Sequence, residues 1–316
     1  MAKPPPPPSK GQHLVWRLEA FAFDAFNLLF RLMPVDAASW LGGKLFRLIG
    51  PLTKTHAVAV ANLKLAFPEK DEAWHRRILG DQWENNGRTV AEFPNMDRLL
   101  PSTGRVEVVN GERLTEIARG GKPVVFVSGH FSNWEVMPAA IVDAGVACEM
   151  TYRAANNPYV DKRIRDSRFR YGVRLFAPKG GDGAREMLEG MSLGRSVALM
   201  NDQKFNRGGV PAPFFGRMVM TAPGPTRLAL RFGTVLQPMT VERTKGARFR
   251  AVVHEPIVLE VTGNRTADIA EGVRRVTAMV EDQVRRRPGE WFWVHRRWPK
   301  EAYAELAAEL AAEDED

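Results

Sequence analysis

The chain has 316 residues, 44% hydrophobic and 26% charged, with one cysteine, a net charge of +8 and a pI of about 9.8. This allows one large globular domain or two small ones, and the lone Cys148 excludes an internal disulfide and a cysteine-rich metal site, pointing to a reducing compartment. The basic balance favours a polyanion or an anionic membrane surface as partner, without separating nucleic acid from phospholipid or phosphorylated sugar.

Residues 1–13, with five consecutive prolines, read as a disordered tail. Residues 14–33 are rich in Leu and Phe but interrupted by Arg17, Glu19, Asp24 and Arg31, of which Arg17, Asp24 and Arg31 recur every seven residues and form one stripe on a helix. A bilayer-spanning helix needs roughly 20 predominantly apolar residues, so these charges favour an amphipathic helix lying in the membrane interface. Residues 35–50, 57–67 and 72–93 read as further helices, which makes 14–100 a helical, membrane-associating region.

The pattern then changes. Residues 106–109, 123–128, 148–152, 173–177, 196–200, 234–241 and 249–253 are β-rich and mostly separated by helix-compatible stretches. That alternation predicts an α/β domain over 101–299, with a mixed, mostly parallel sheet flanked by helices. Residues 266–287 read as one helix with Ile269, Val273, Val276, Val280 and Val284 on one face and Pro288 ending it. Residues 300–316 form an acidic C-terminal tail.

The chemistry centres on Ser128-Gly-His130-Phe-Ser-Asn-Trp-Glu135. A histidine at the carboxyl end of a strand, with an acid at the start of the next helix, stands where open α/β sheets place their sites. If His130 lies in the turn and Glu135 in the helix, the carboxylate can hold one ring nitrogen and leave the other to take a proton from a hydroxyl. The zincin pattern H-E-x-x-H is absent.

Arg153, Arg163, Arg165, Arg168 and Arg170 follow the next strand and fall beside His130 if successive strands are neighbours; guanidinium groups suit phosphate and carboxylate. The glycine-rich stretch 178–184 fits no nucleotide-binding motif. Asp202 and Gln203 end another strand, on the same sheet edge as His130 if the strands are parallel, where an acid could hold an arginine. Phe214, Phe215 and 220–224 could wall a lipid pocket, and a plain core segment explains them equally. Cations interleaved with tryptophans over 285–298 suit a membrane interface, or single-stranded nucleic acid, and His295 is a second candidate histidine without a nearby acid.

Taken in order, His130-Phe-Ser-Asn-Trp-Glu135, Tyr152-Arg153 with Asn157-Pro158, Asp202-Gln203, Phe214-Phe-Gly216 and Trp291-Phe-Trp-Val-His-Arg-Arg-Trp298 resemble the motifs of the late acyltransferases of lipid A biosynthesis. Asn62-Leu-Lys-Leu-Ala-Phe-Pro-Glu69 is similar to the family's segment ahead of the catalytic domain, and the likeness covers about residues 15–299. Ala154 stands where a proline is common, which bears only on the shape of that turn.

The resemblance implies a glycerol-3-phosphate-acyltransferase-like fold at the cytoplasmic face of a Gram-negative inner membrane. The implied reaction moves a fatty acyl chain from acyl carrier protein to a hydroxyl of a lipid A precursor. It implies His130 as base, Glu135 as its partner, and Arg168 and Asp202 as further catalytic-site residues. Asn133, Arg153, Arg170 and Gln203 are expected to meet substrate. A thioester is already activated, so no metal or cofactor is expected. Two rival readings remain: acyl-CoA-dependent acylation of another phosphoglycolipid such as a phosphatidylinositol mannoside, and a basic nucleic-acid-binding module, which would leave His130 and Glu135 unexplained.

Overall fold

A computed structural model describes residues 8–175, 181–205 and 208–313. Parts of the expected proline-rich tail (1–7), of the strand and glycine-rich turn over 173–184 (176–180) and of the acidic end (314–316) lie outside the described residues.

Four helices come first: α1 (Lys10–Leu32), α2 (Val35–Ile49), α3 (Lys54–Ala66) and α4 (Glu72–Glu92). α1 begins inside the stretch read as a tail, because the Ser9 side chain accepts a hydrogen bond from the Gln12 amide and caps it; Asp71 caps α4 in the same way through the Trp74 amide. α2 and α4 cross at van der Waals distance through Gly42 and Gly87. A Cβ on Gly87 would lie 2.1 Å from the Gly42 carbonyl oxygen, so no other residue fits there without separating the helices.

The charged stripe of α1 is used by the protein itself. Asp24 pairs with Arg163, Arg31 pairs with Asp97, and Arg17 lies 6.0 Å from the Tyr159 ring centroid. Ala20 and Phe30 are buried against the body. On the opposite side Leu14, Leu18, Phe21, Leu28 and Leu32 are between 60% and 76% exposed, and Trp40 and Leu48 of α2 and Leu52 of the turn after it are exposed as well. Among the described residues no helix is long and apolar enough to cross a membrane.

The remaining elements in chain order are β1 (Val106–Val109), α5 (Glu112–Gly120), β2 (Val125–Ser128), α6 (Val136–Asp143), β3 (Cys148–Met150), α7 (Pro158–Phe169), β4 (Arg174–Leu175), α8 (Gly181–Ser192), β5 (Ser196–Met200), β6 (Val210–Phe214), β7 (Arg217–Thr221), α9 (Gly224–Phe232), β8 (Leu236–Lys245), β9 (Arg248–Val253), α10 (Arg265–Arg286) and α11 (Lys300–Glu313). Seven strands form one sheet in the order β1-β9-β8-β2-β5-β3-β4, in which only β8 and β9 run antiparallel. The expected mixed, mostly parallel sheet flanked by helices is what forms.

All four residues of β2 are buried, as a central strand covered on both faces requires. Phe126 packs into the cluster that holds Leu114 of α5 and Val136, Ala140 and Ile141 of α6; Val125 and Val127 face Met191 of α8, Leu228 of α9 and Val276 of α10. Cys148 is buried in β3, as its sequence context suggests.

Three expectations are corrected. β2 and β3 are not neighbours, because β5 lies between them. Phe214 and Phe215 do not wall a pocket. They end a β6–β7 hairpin whose two turn residues, Phe215 (φ 49°) and Gly216 (φ 72°), are both left-handed, and both rings are buried in an aromatic core. Trp291, Trp293 and Trp298 lie in that same core at 2%, 0% and 0% exposure, so they are not an interfacial belt.

Candidate active site

The parallel register of β2 and β5 builds the site. Ser128 pairs with Met200, and the Asn201 amide donates to the Ser128 carbonyl at 2.8 Å, so continuing both strands by two residues brings His130 opposite Asp202. The Asp202 carboxylate takes both available donors of that residue: Oδ2 accepts the His130 amide at 2.8 Å, and Oδ1 accepts from Nδ1 of the ring at 2.8 Å. Oδ2 also accepts the Trp291 indole N–H at 2.9 Å. A carboxylate can only accept, so Nδ1 carries the proton and Nε2 keeps its lone pair.

Burial works against a protonated His130, but the Asp202 charge, the hydrogen bond to it and the Glu135 charge outweigh that effect and hold its pKa above the ordinary value. Burial likewise raises the Asp202 carboxyl, and the facing imidazole, with the bonds from His130 and Trp291, brings it well below the usual carboxylate range.

The expected partnership of His130 with Glu135 is therefore corrected. Glu135 accepts Nε of Arg168 at 2.9 Å, Nη2 of Arg168, and the Tyr171 hydroxyl at 3.2 Å. Each acid has the partner expected of the other: Asp202 holds the histidine and Glu135 holds the arginine. The exchange follows from register, since Asp202 comes from the adjacent parallel strand, while Glu135 stands at the head of α6 facing α7. Burial opposes the Arg168 charge, and the Glu135 carboxylate more than compensates, so its pKa is raised. Burial and the same carboxylate push the Tyr171 phenol well above its ordinary value.

The turn between His130 and Glu135 is held from behind. Ser132 has φ 49°, a left-handed conformation that costs a non-glycine residue roughly 1 kcal/mol or more. Its amide donates to the Glu290 carbonyl at 2.7 Å, and its own carbonyl accepts Asn85 Nδ2 at 3.2 Å and Thr89 Oγ1 at 3.1 Å. Asn133, expected to meet substrate, is fully buried: Oδ1 accepts the Glu135 amide at 3.2 Å, and Nδ2 donates to Glu92 at 2.8 Å. It shapes the turn instead. Asn85, Thr89 and Glu92 were not singled out in the sequence; their signal is a run of polar residues three and four apart on α4, a helix that turns this face inward.

His130, Glu135 and Arg168 line one cavity of about 180 Å³, with Met137, Met150, Ala198 and Met200 as its apolar lining. Arg153 lies at its exposed rim, brought there by the loop after β3 although β3 is not adjacent to β2. Arg168 gives Nε and Nη2 to Glu135, so its guanidinium is held fixed in the lining of the cavity. Gln203 borders a narrow crevice on the other side of His130, together with His295 and Arg297. Arg170 is exposed, bonds Ser167 at 3.0 Å and lines neither space. Among the described residues His295 has no carboxylate partner, and burial and the His130 charge lower its pKa. Among the described residues no group of three or more His, Cys, Asp or Glu is arranged to hold a metal ion.

The sequence profile of the bacterial lipid A biosynthesis acyltransferases matches residues 10–300. The chain is similar to the lipid A biosynthesis palmitoleoyltransferase of Escherichia coli K12, at 22% identity over 272 residues covering 84% of this chain and 86% of that protein. It is similar to the same extent to the lipid A biosynthesis acyltransferase of Shigella flexneri, and at 24% identity over 248 residues, 75% of this chain and 76% of the other, to the lipid A biosynthesis lauroyltransferase of Escherichia coli K12. A match that runs from the first helix through the buried tryptophans makes this chain a member of the bacterial lipid A biosynthesis acyltransferase family, and so a transferase.

Proposed function

We propose that the protein transfers a fatty acyl group from the thioester of acyl carrier protein to a hydroxyl on an acyl chain of a lipid A precursor, at the cytoplasmic face of a Gram-negative inner membrane. The observation that carries this reading is the His130 ring, fixed through Nδ1 by Asp202 and lining a cavity that combines apolar side chains with Arg168. Nε2 has no hydrogen bond among the described residues and removes the proton of the acceptor hydroxyl. The oxygen forms a bond to the thioester carbonyl carbon, giving a tetrahedral oxyanion. Collapse breaks the carbon–sulfur bond, the ester is formed, and the thiolate takes the proton from the His130 imidazolium. The Arg168 guanidinium, held by Glu135, stabilises negative charge in the cavity, on the oxyanion or on a sugar phosphate. Arg153 at the rim attracts the anionic head group.

The relatives' names specify different acyl groups, palmitoleoyl and lauroyl. The likeness therefore supports lipid A acylation as the class of reaction, and the shape of the cavity decides chain length.

The exposed apolar surface of α1 and α2 supports seating in the membrane interface. Helix α1 is packed by one side and leaves Leu14, Leu18, Phe21, Leu28, Leu29 and Leu32 exposed on the other, an apolar face of the kind that marks an interaction surface. Each such side chain gains about 1.5–3 kcal/mol when fully buried, so partial burial of a few suffices for reversible attachment.

The test is the His130→Ala enzyme, purified and given acyl carrier protein thioesters and a lipid A precursor, with products read by mass spectrometry. Product formation is expected to fall by at least about 10²-fold with the fold intact. Turnover close to that of the native enzyme removes the mechanism.

A further inference from the structure

Arg297 belongs to the segment that the sequence suggests for a membrane surface, yet it is 1% exposed and, among the described residues, has no carboxylate within ion-pair distance. Its guanidinium instead ties three backbone segments together. Nη1 donates to the Gln203 carbonyl and to the Met220 carbonyl, both at 3.2 Å, and Nη2 donates to Thr221 Oγ1 at 2.6 Å. Its plane lies over the Phe214 ring, 5.1 Å from the centroid. Gln203 is the residue immediately after Asp202, and Arg297 borders the same narrow crevice as His130 and Asp202. A buried cation without a bonded acid is costly unless a nearby charge compensates it. Here the compensating charge is Asp202, which borders the same crevice and carries the histidine.

We propose that Arg297 is the positioning residue for the Asp202–His130 pair: it clamps the chain just after Asp202 to the end of β7, and its charge stands at the crevice that Asp202 and His130 also border. Resting on the reading of His130 as the base, this assigns to the C-terminal segment two distinct contributions, a mechanical one through three hydrogen bonds and an electrostatic one through Asp202. The charged and titratable groups that face the pair are Glu135 at the head of α6, His295 and Arg297 in the C-terminal segment, and Arg153 at the cavity rim, which acts on His295. Burial lowers the Arg297 pKa to about 10, so it remains a cation at neutral pH.

The two contributions separate in a pair of variants. Arg297→Lys keeps the charge and loses the fork, so kcat/KM is expected to fall roughly tenfold with the acid limb of the pH profile in place. Arg297→Gln also loses the charge. Without that cation Asp202 acts on the imidazole alone, the protonated ring is favoured, and the limb moves to higher pH by on the order of half a unit. Thr221→Val, which removes one acceptor and no charge, gives a smaller loss and an unmoved limb. The proposal is overturned if folded Arg297→Lys has native kcat/KM, or if folded Arg297→Gln loses activity without displacing the limb. Where Arg297→Gln fails to fold, Arg297→Lys and Thr221→Val decide alone: native kcat/KM or a displaced limb in either removes it. A dead His130→Ala enzyme alongside tells failure here from failure of the base assignment.

Discussion

Replacing Asp202 by asparagine isolates the feature on which the proposed chemistry rests. In the native site Oδ2 accepts from two donors that cannot turn round, the His130 amide at 2.8 Å and the Trp291 indole at 2.9 Å, while Oδ1 accepts from Nδ1. The introduced amide has one oxygen, and only at the Oδ2 position can it serve two fixed donors. Its NH2 group then lies against Nδ1. Two donors cannot share a hydrogen bond, so the imidazole moves its proton to Nε2 and the lone pair that would deprotonate the acceptor is lost. The equivalent change in a Ser-His-Asp triad costs about 10⁴-fold for the same tautomeric reason. A fall of about 10³- to 10⁴-fold in kcat is expected here, equivalent to about 4–5.5 kcal/mol of transition-state stabilisation. The charge is lost as well. Asp202 raises the His130 pKa, so its removal lowers that pKa and moves the acid limb of any residual activity to lower pH. The assay is kcat and kcat/KM between pH 5 and 9 by mass spectrometry of the glycolipid product, with nitrogen NMR of labelled histidine reporting the tautomer. A variant within tenfold of native activity, or one with Nδ1 still protonated, refutes the reasoning.

Glu135→Gln acts on a different group. It leaves Arg168 and Tyr171 sharing one acceptor oxygen, so kcat/KM should fall about 10- to 100-fold. The pH limb should move less than in Asp202→Asn, because Glu135 is not bonded to the ring; an equal or larger movement refutes the exchanged pairing. Gly87→Ala drives a Cβ to 2.1 Å from the Gly42 carbonyl and should lower stability by about 2–4 kcal/mol, read as a drop in Tm; a native Tm means that α2 and α4 do not cross this closely. Leu18→Glu with Phe21→Glu should sharply reduce binding to anionic vesicles and leave Tm unchanged, since both side chains are exposed; unaltered vesicle binding removes α1 from the membrane contact.

The sheet was legible in the sequence because β-rich runs and helical stretches alternate, and so was the common edge of His130 and Asp202, because β2 and β5 end at Ser128 and Met200. The pairing was not legible. Five residues along the chain suggested Glu135 for His130, but register between strands 72 residues apart decides which carboxylate reaches Nδ1, and no local spacing records that register. The cluster over 285–298 misled for a related reason. Arg285 and Arg286 pair with Glu281 and Asp282 one helical turn back, and Arg287 pairs with Glu290, so these cations are largely neutralised where they stand. Arg285 and Arg297 lie over Phe215 and Phe214, which turns an apparently amphipathic mixture into the wall of an aromatic core.

The buried face of α4 explains why the helical layer is more than an attachment to the sheet. Glu92, with no exposure, accepts from Ser39 of α2 at 2.6 Å, from Arg243 of β8 and from Asn133 of the turn after His130 at 2.8 Å. Removing any one of these donors leaves a buried carboxylate short of a partner, which typically costs several kcal/mol for a charged group. Asn133 in turn fixes the Glu135 amide, and Asn85 and Thr89 fix Ser132, so every residue from 132 to 135 except Trp134 takes a hydrogen bond that traces back to α4. The position of α4 is set by its glycine contact with α2, whose outer surface carries the exposed apolar residues. The turn that carries His130, Glu135 and, through Glu135, Arg168 is therefore braced by α4, and α4 is seated by its close glycine contact on α2, one of the two helices that present the exposed apolar residues.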